Sequence, residues 1–167
     1  MLSGTAHKFG DNINTDYIIS GKYKFKTLDM DELAKHVMED LDPEFSRRVK
    51  PGDFIVAGRN FGCGSSREQA PLAIKHAGVA AVIATSFARI FYRNAINMGL
   101  PLLECATSGI ENGDTLEVDL GRGVVRDVEK NLEIAARPLP SVMLDIMSCG
   151  GLIPYMKQHG GFKKLTG

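Results

Sequence analysis

The sequence predicts one α/β domain spanning residues 1–167, a mostly parallel sheet flanked by helices, with a C-terminal antiparallel β segment and terminal helices. Three observations predict it. "FIVAG" at 54–58, "VAAVIAT" at 79–85 and "LPLLEC" at 100–105 are short unbroken apolar runs, as strands buried on both faces require. Segments of helical period separate them, with short joints. From 109 to 138 the texture changes, and "DTLEVDLGRGVVRDV" and "NLEIAA" alternate between turn residues like antiparallel strands.

The elements follow in order. "SGTAHKF" reads as a first strand, and "GDNINTD" at 10–16 is a cluster of turn residues whose side chains bind backbone groups. Asp29 and Glu32 form a capping-box pattern, followed at helical spacing by Leu33, Val37 and Leu41. "VKPGD" at 49–53 is a turn into the second strand. In "SREQAPLAIKHAG" an apolar face of Ala70, Ala73, Ile74 and Ala77 predicts a helix that Gly78 stops. The stretch 87–99, "FARIFYRNAINMG", predicts another, with Phe87, Ile90, Phe91 and Ile96 inward. "PSVMLDIMSCGGLIPYMKQHG" predicts helices broken at Gly150 and Gly151.

Bulk properties exclude several classes. Twenty basic residues balance twenty acidic ones, so nothing points to nucleic acid or an anionic membrane as the main partner. The apolar runs are far too short to span a bilayer. The start, "MLSGTAHKFG", lacks the basic-then-apolar layout of a signal, which places the expected location in the cytoplasm. Cys63, Cys105 and Cys149 are an odd number at wide spacing without C-x-x-C, so neither a disulfide framework nor a metal site is expected from this chain alone. His7, His36, His76 and His159 are scattered and read as surface or packing residues.

The chemistry concentrates in "RNFGCGSSREQ", Arg59 to Gln69. One reading is capping, because Ser65 with Glu68 and Ser66 with Gln69 both fit the capping box. It leaves Gly62, Gly64 and Arg67 unexplained. A second reading is an anion pocket, in which backbone N–H groups, two hydroxyls and a guanidinium converge on a carboxylate or phosphate. A P-loop needs a lysine that is missing, and Arg67 stands where a dinucleotide loop needs its third glycine. Cys63 is a further candidate, as a nucleophile beside a helix start or as a small packed residue.

"GRNFGCGSSREQA", with "FGDNINTDYII" before it and "SFARIFYRNAINMGLPLLE" after it, resembles the small subunit of the aconitase-related hydro-lyases, above all the archaeal and bacterial 3-isopropylmalate dehydratase small-subunit family. The resemblance runs in order along almost the whole chain. It implies a swivelling-type β/β/α domain that closes over a small 2-hydroxy acid held by a large subunit. The [4Fe-4S] cluster is expected on that large subunit and no cofactor on this chain. It further implies that Ser65 is the catalytic base as its alkoxide and that Ser66 and Arg67 bind a substrate carboxylate. Thr15 and Asp16 would support them. Arg89, Arg93 and Asn94 match the family without an assigned role.

The same resemblance makes Tyr23, Lys24, Phe25 and Lys26 the specificity loop. Relatives acting on tricarboxylates place an arginine here, whereas Phe25 suits a branched alkyl group, whose burial is worth about 2 kcal/mol. The expected reaction is the isomerisation of isopropylmalate. A 2,3-dimethylmalate or homoaconitate hydratase is the alternative, and a non-catalytic anion-binding module the alternative of another class.

Overall fold

In this computed structural model residues 1–24 and 29–160 are described, apart from the Lys24 side chain. Phe25, Lys26 and the side chain of Lys24, three of the four expected specificity positions, therefore lie outside the described residues.

The strands are β1 (Leu2–Lys8), β2 (Phe54–Ala57), β3 (Ala81–Ala84), β4 (Leu102–Glu104), β5 (Thr115–Asp119), β6 (Val124–Asp127) and β7 (Leu132–Ala135). They form one sheet in the order β4-β3-β2-β1-β5-β6-β7. The block from β4 to β1 is parallel, and β5, β6 and β7 continue it antiparallel. A bridge between Cys105, just after β4, and Ala136, just after β7, shows that the two ends of the sheet curl towards each other.

Period-two alternation splits the apolar side chains between two cores. Ile55, Ala57, Val82 and Ala84 face the helices, while Phe54, Val56, Ala81 and Ile83 face the inside of the curl, against Leu116, Val118 and Val125. Both sets are fully buried, which is why β2 and β3 read as continuous apolar runs. The crossovers hold α1 (Thr15–Ile18), α2 (Gly21–Lys24), α3 (Met30–Ala34), α4 (Phe45–Arg48), α5 (Gln69–His76) and α6 (Arg89–Asn97). After β7 come α7 (Ser141–Ser148), whose Met143, Leu144 and Met147 pack against the curl, and α8 (Leu152–His159). No helix among the described residues is long and apolar enough to cross a membrane.

Three local expectations are corrected. The helix capped at Asp29 ends after α3, and Leu41 is 41% exposed instead of inward. Met38 takes φ +60°, which breaks the helical path, and its N–H donates to the Ile18 carbonyl. Ile90, expected inward, is 56% exposed. Helix α6 starts at Arg89, not Phe87, so Phe91 and Ala95 carry its buried face and Ile90 turns outward. The serines do not cap α5 either. That helix begins at Gln69, its N-cap is Glu68 without a side-chain capping bond, and Ser65, Ser66 and Arg67 all precede it.

Candidate active site

In parallel α/β sheets, ligands bind beyond the carboxyl ends of the strands. Here the segments leaving β1, β2 and β3 at that edge are stitched together by backbone hydrogen bonds. Asn12 N–H donates to Arg59 O at 2.8 Å, and Gly62 N–H to Ile13 O at 2.8 Å. Phe61 N–H donates to Ser86 O at 3.1 Å, and Ala88 N–H back to Phe61 O at 3.0 Å. Three loops distant in sequence thus form one rigid platform, and "GCGSSR" is its crest.

The glycines have a specific reason. Gly62 (φ +83°) and Gly64 (φ +91°) both lie in the left-handed region that side chains disfavour. A Cβ on Gly62 would overlap the Phe91 ring, and one on Gly64 would come within 2.6 Å of the Asn14 amide. The bare backbone therefore lets α6 press against the loop from one side and Asn14 from the other. Asn14 is itself the N-cap of α1, its Oδ1 accepting from Asp16 N–H at 2.9 Å.

Thr15, buried, donates from Oγ1 to the Ser65 carbonyl at 2.9 Å, and its N–H donates to Cys63 O at 2.9 Å. Asp16 pairs with Arg67 at 2.5 Å. The same Arg67 nitrogen donates to the Ile19 carbonyl at 3.3 Å. Arg67 is thereby held through Nη1, and among the described residues Nη2 and Nε have no hydrogen-bond or ion-pair partner. Ser66 Oγ accepts from Asn94 Nδ2 at 3.3 Å. Ser65 is exposed, and among the described residues its hydroxyl has no hydrogen-bond partner.

These residues border a cleft of about 210 Å³ between the serine loop and the first turn of α6. Ala88, the N-cap of α6, makes no side-chain capping bond, so the free N–H groups of that helix end border the cleft. The dipole of α6 thus supplies positive potential from the wall opposite the serines. Asn94 and the α6 end went unassigned, although their signal lay in "SFARIFYRN", an amide and an uncapped helix start inside one motif. Tyr23 lies apart from the cleft lining and stacks on His36, ring centroids 3.9 Å apart.

Among the described residues, the one group of metal-capable side chains at ligating distances is Asp114, Asp127 and Glu129, without a cysteine. Lys130 is inserted there, 2.9 Å from Asp114. Burial pushes the Cys105 thiol up to about 11, away from the thiolate form that iron needs.

A mixed sheet flanked by helices, and a loop crest presenting hydroxyls and a guanidinium at the carboxyl ends of its parallel strands, define an α/β fold that carries the groups an anion site requires. The profile of the aconitase C-terminal domain family matches residues 6–107. The 3-isopropylmalate dehydratase small subunit 2 of Archaeoglobus fulgidus is 61% identical, covering 97% of this chain and 98% of that protein. The 3-isopropylmalate dehydratase small subunit of Caldicellulosiruptor saccharolyticus is 58% identical over 98% of this chain and 94% of its own length. A crystal structure of 3-isopropylmalate dehydratase from Methanocaldococcus jannaschii superposes with a TM-score of 0.91 at 50% identity, covering 95% of both chains. The chain belongs to the aconitase C-terminal domain family and, within it, to the small subunits of 3-isopropylmalate dehydratase, a hydro-lyase.

Proposed function

We propose that this chain works in the cytoplasm as the small subunit of a hydro-lyase that interconverts 2- and 3-isopropylmalate, a step of leucine biosynthesis. The observation that carries this reading is the Ser65 hydroxyl, exposed and without a partner among the described residues, in one cleft with Arg67 and the first turn of α6.

Ser65 Oγ, as the alkoxide, takes the proton from the carbon next to a substrate carboxylate. The C–H electron pair becomes the new C=C bond as the hydroxyl leaves the neighbouring carbon. To form the isomer, Ser65 gives the proton to the carbon that lost the hydroxyl, and hydroxide adds to the carbon that lost the proton, which restores the alkoxide. A serine is too weakly acidic for this in water, so the α6 amides and the Arg67 charge stabilise the anion. Ser66 and the free side of Arg67 hold the carboxylate, which gathers charge in the transition state. Thr15 and Asp16 hold the loop and the guanidinium in place. A [4Fe-4S] cluster on the large subunit supplies the Lewis acid for the departing hydroxyl. Phe25, within the Tyr23 to Lys26 segment, receives the isopropyl group.

The test is reconstitution with a cluster-bearing large subunit, following alkene formation from isopropylmalate, 2,3-dimethylmalate and homocitrate. Isopropylmalate should be preferred. Ser65→Ala should still assemble yet lose kcat by about a thousandfold, with KM little changed. Near-normal turnover in that variant would end Ser65's role as the base. Inertness of the wild-type complex towards all three acids would end the hydro-lyase reading.

A further inference from the structure

Arg89 borders two clefts. One is the serine cleft, and the other is a wider hollow of about 670 Å³ between α6, β4 and the segment leading into α7. That volume lies in the range of small-molecule sites. Arg89 and Arg93 reach it from α6, four residues apart and so on one helical face. Arg137 reaches it from the chain after β7. Among the described residues none of the three guanidiniums has an ion-pair or hydrogen-bond partner. Glu104 is the one carboxylate in the lining, which leaves an excess of two positive charges.

The rest of the hollow is apolar, with Leu102, Leu139 and Met143 in its wall. Tyr92 is part of the lining, with its hydroxyl 3.9 Å from Met143 Sδ. Burial, with the charge of Glu104, raises the Tyr92 phenol above its usual value, so it remains a neutral hydrogen-bond donor. Three exposed guanidiniums with a single carboxylate among them leave net positive charge in the hollow, and a bound anion offsets it. The hydrophobic wall selects for an anion that carries hydrocarbon.

We propose that this hollow is a second ligand site, in which Arg93, Arg137 and the shared Arg89 hold a small dicarboxylate with a branched hydrocarbon body. Its lining holds no serine, cysteine or histidine, and the role assigned to it is binding. The inference does not depend on turnover at Ser65, because it concerns binding to this chain alone.

The experiment is calorimetric titration of the full chain with isopropylsuccinate, with the uncharged diamide as control. Side-chain amide shifts of the arginines are followed in parallel. Arg67→Ala, which impairs the serine cleft alone, should retain one binding event that the wild type also shows. Arg93→Ala and Arg137→Ala should each weaken binding about tenfold with unchanged circular dichroism, and the diamide should not bind. Movement of the Arg93 and Arg137 side-chain signals in the wild type would support the site without reliance on any variant. Three results would overturn it. One is silence up to about 20 mM ligand. Another is binding lost in Arg67→Ala but kept in the other two variants. The last is weakened assembly with the large subunit in Arg137→Ala while isopropylsuccinate binding is unchanged, which would make the hollow a partner contact.

Discussion

The Thr15 hydroxyl donates a 2.9 Å hydrogen bond to the backbone carbonyl of Ser65, joining the segment after β1 to the reactive loop after β2. Ser65 itself is exposed, so this bond from a buried partner fixes its main chain while its hydroxyl has no partner among the described residues. Thr15→Val keeps the shape and removes the donor. It should cost about 1 kcal/mol of stability. With Ser65 less well placed, kcat should fall about tenfold in the reconstituted complex. Thr15→Ser should restore kcat. Lost stability with unchanged kcat would reduce Thr15 to a structural tie.

Gly64 and Gly113 share φ +91° but differ in surroundings. A Cβ on Gly113 meets nothing within 4 Å, whereas one on Gly64 meets the Asn14 side chain at 2.6 Å. Gly113→Ala therefore measures backbone strain alone, about 1 kcal/mol, and should leave activity intact. Gly64→Ala adds displacement of Asn14, the cap of α1, and should cost about 1–3 kcal/mol more. Turnover should fall with it, because Thr15 and Asp16 follow Asn14 directly. Equal melting temperatures in the two variants would show that Asn14 moves aside freely.

Arg67 has one nitrogen committed to Asp16 and the Ile19 carbonyl, so under the proposed function its remaining donors are those that bind substrate. Arg67→Lys keeps the charge but offers a single ammonium for all these partners. We expect KM for isopropylmalate to rise about tenfold or more. Stability should change by less than about 0.5 kcal/mol, since one member of the ion pair, Asp16, is 56% exposed and such pairs contribute little. An unchanged KM would show that Arg67 only braces the loop.

The strands of the parallel block were legible because β2 and β3 are apolar on both faces, which alternating surface strands never are. The residues of the serine loop were legible for the same local reason, as hydroxyls, glycines and an arginine compressed into six positions. What stayed hidden depends on contacts distant in the chain. The positive φ at Met38 that throws Leu41 outward is tied to the Ile18 carbonyl. The start of α6, which turns Ile90 towards solvent and aims a helix end at Ser65, is set by Ala88 N–H bonding Phe61 O. Periodicity assigns a residue to a helix face, but it cannot date the first turn when the two candidate starts differ by two residues.

His7 and Asp53 form a buried contact at 2.8 Å, and Thr5 and Lys50 also donate their N–H groups to the Asp53 carboxylate. Burial alone would raise the Asp53 carboxyl, yet these three donors outweigh it and hold the group below its usual value. A carboxyl depressed in the folded state stabilises the fold above its unfolded value, near 4. That stabilisation is lost as pH falls from there through the lower folded value. Asp42, paired with Arg48, and Asp114, held at about 2 by its hydrogen bond with Asp127, act in the same direction. Stability to urea should therefore decline below about pH 4 in the wild type. Asp53→Asn should lose about 1–3 kcal/mol at neutral pH, because His7 and the two amides lose a charged acceptor. Its stability should also fall less steeply than wild type in acid, since one of the contributing carboxyls is gone. Parallel acid limbs for the two proteins would show that Asp53 is not held below its ordinary value.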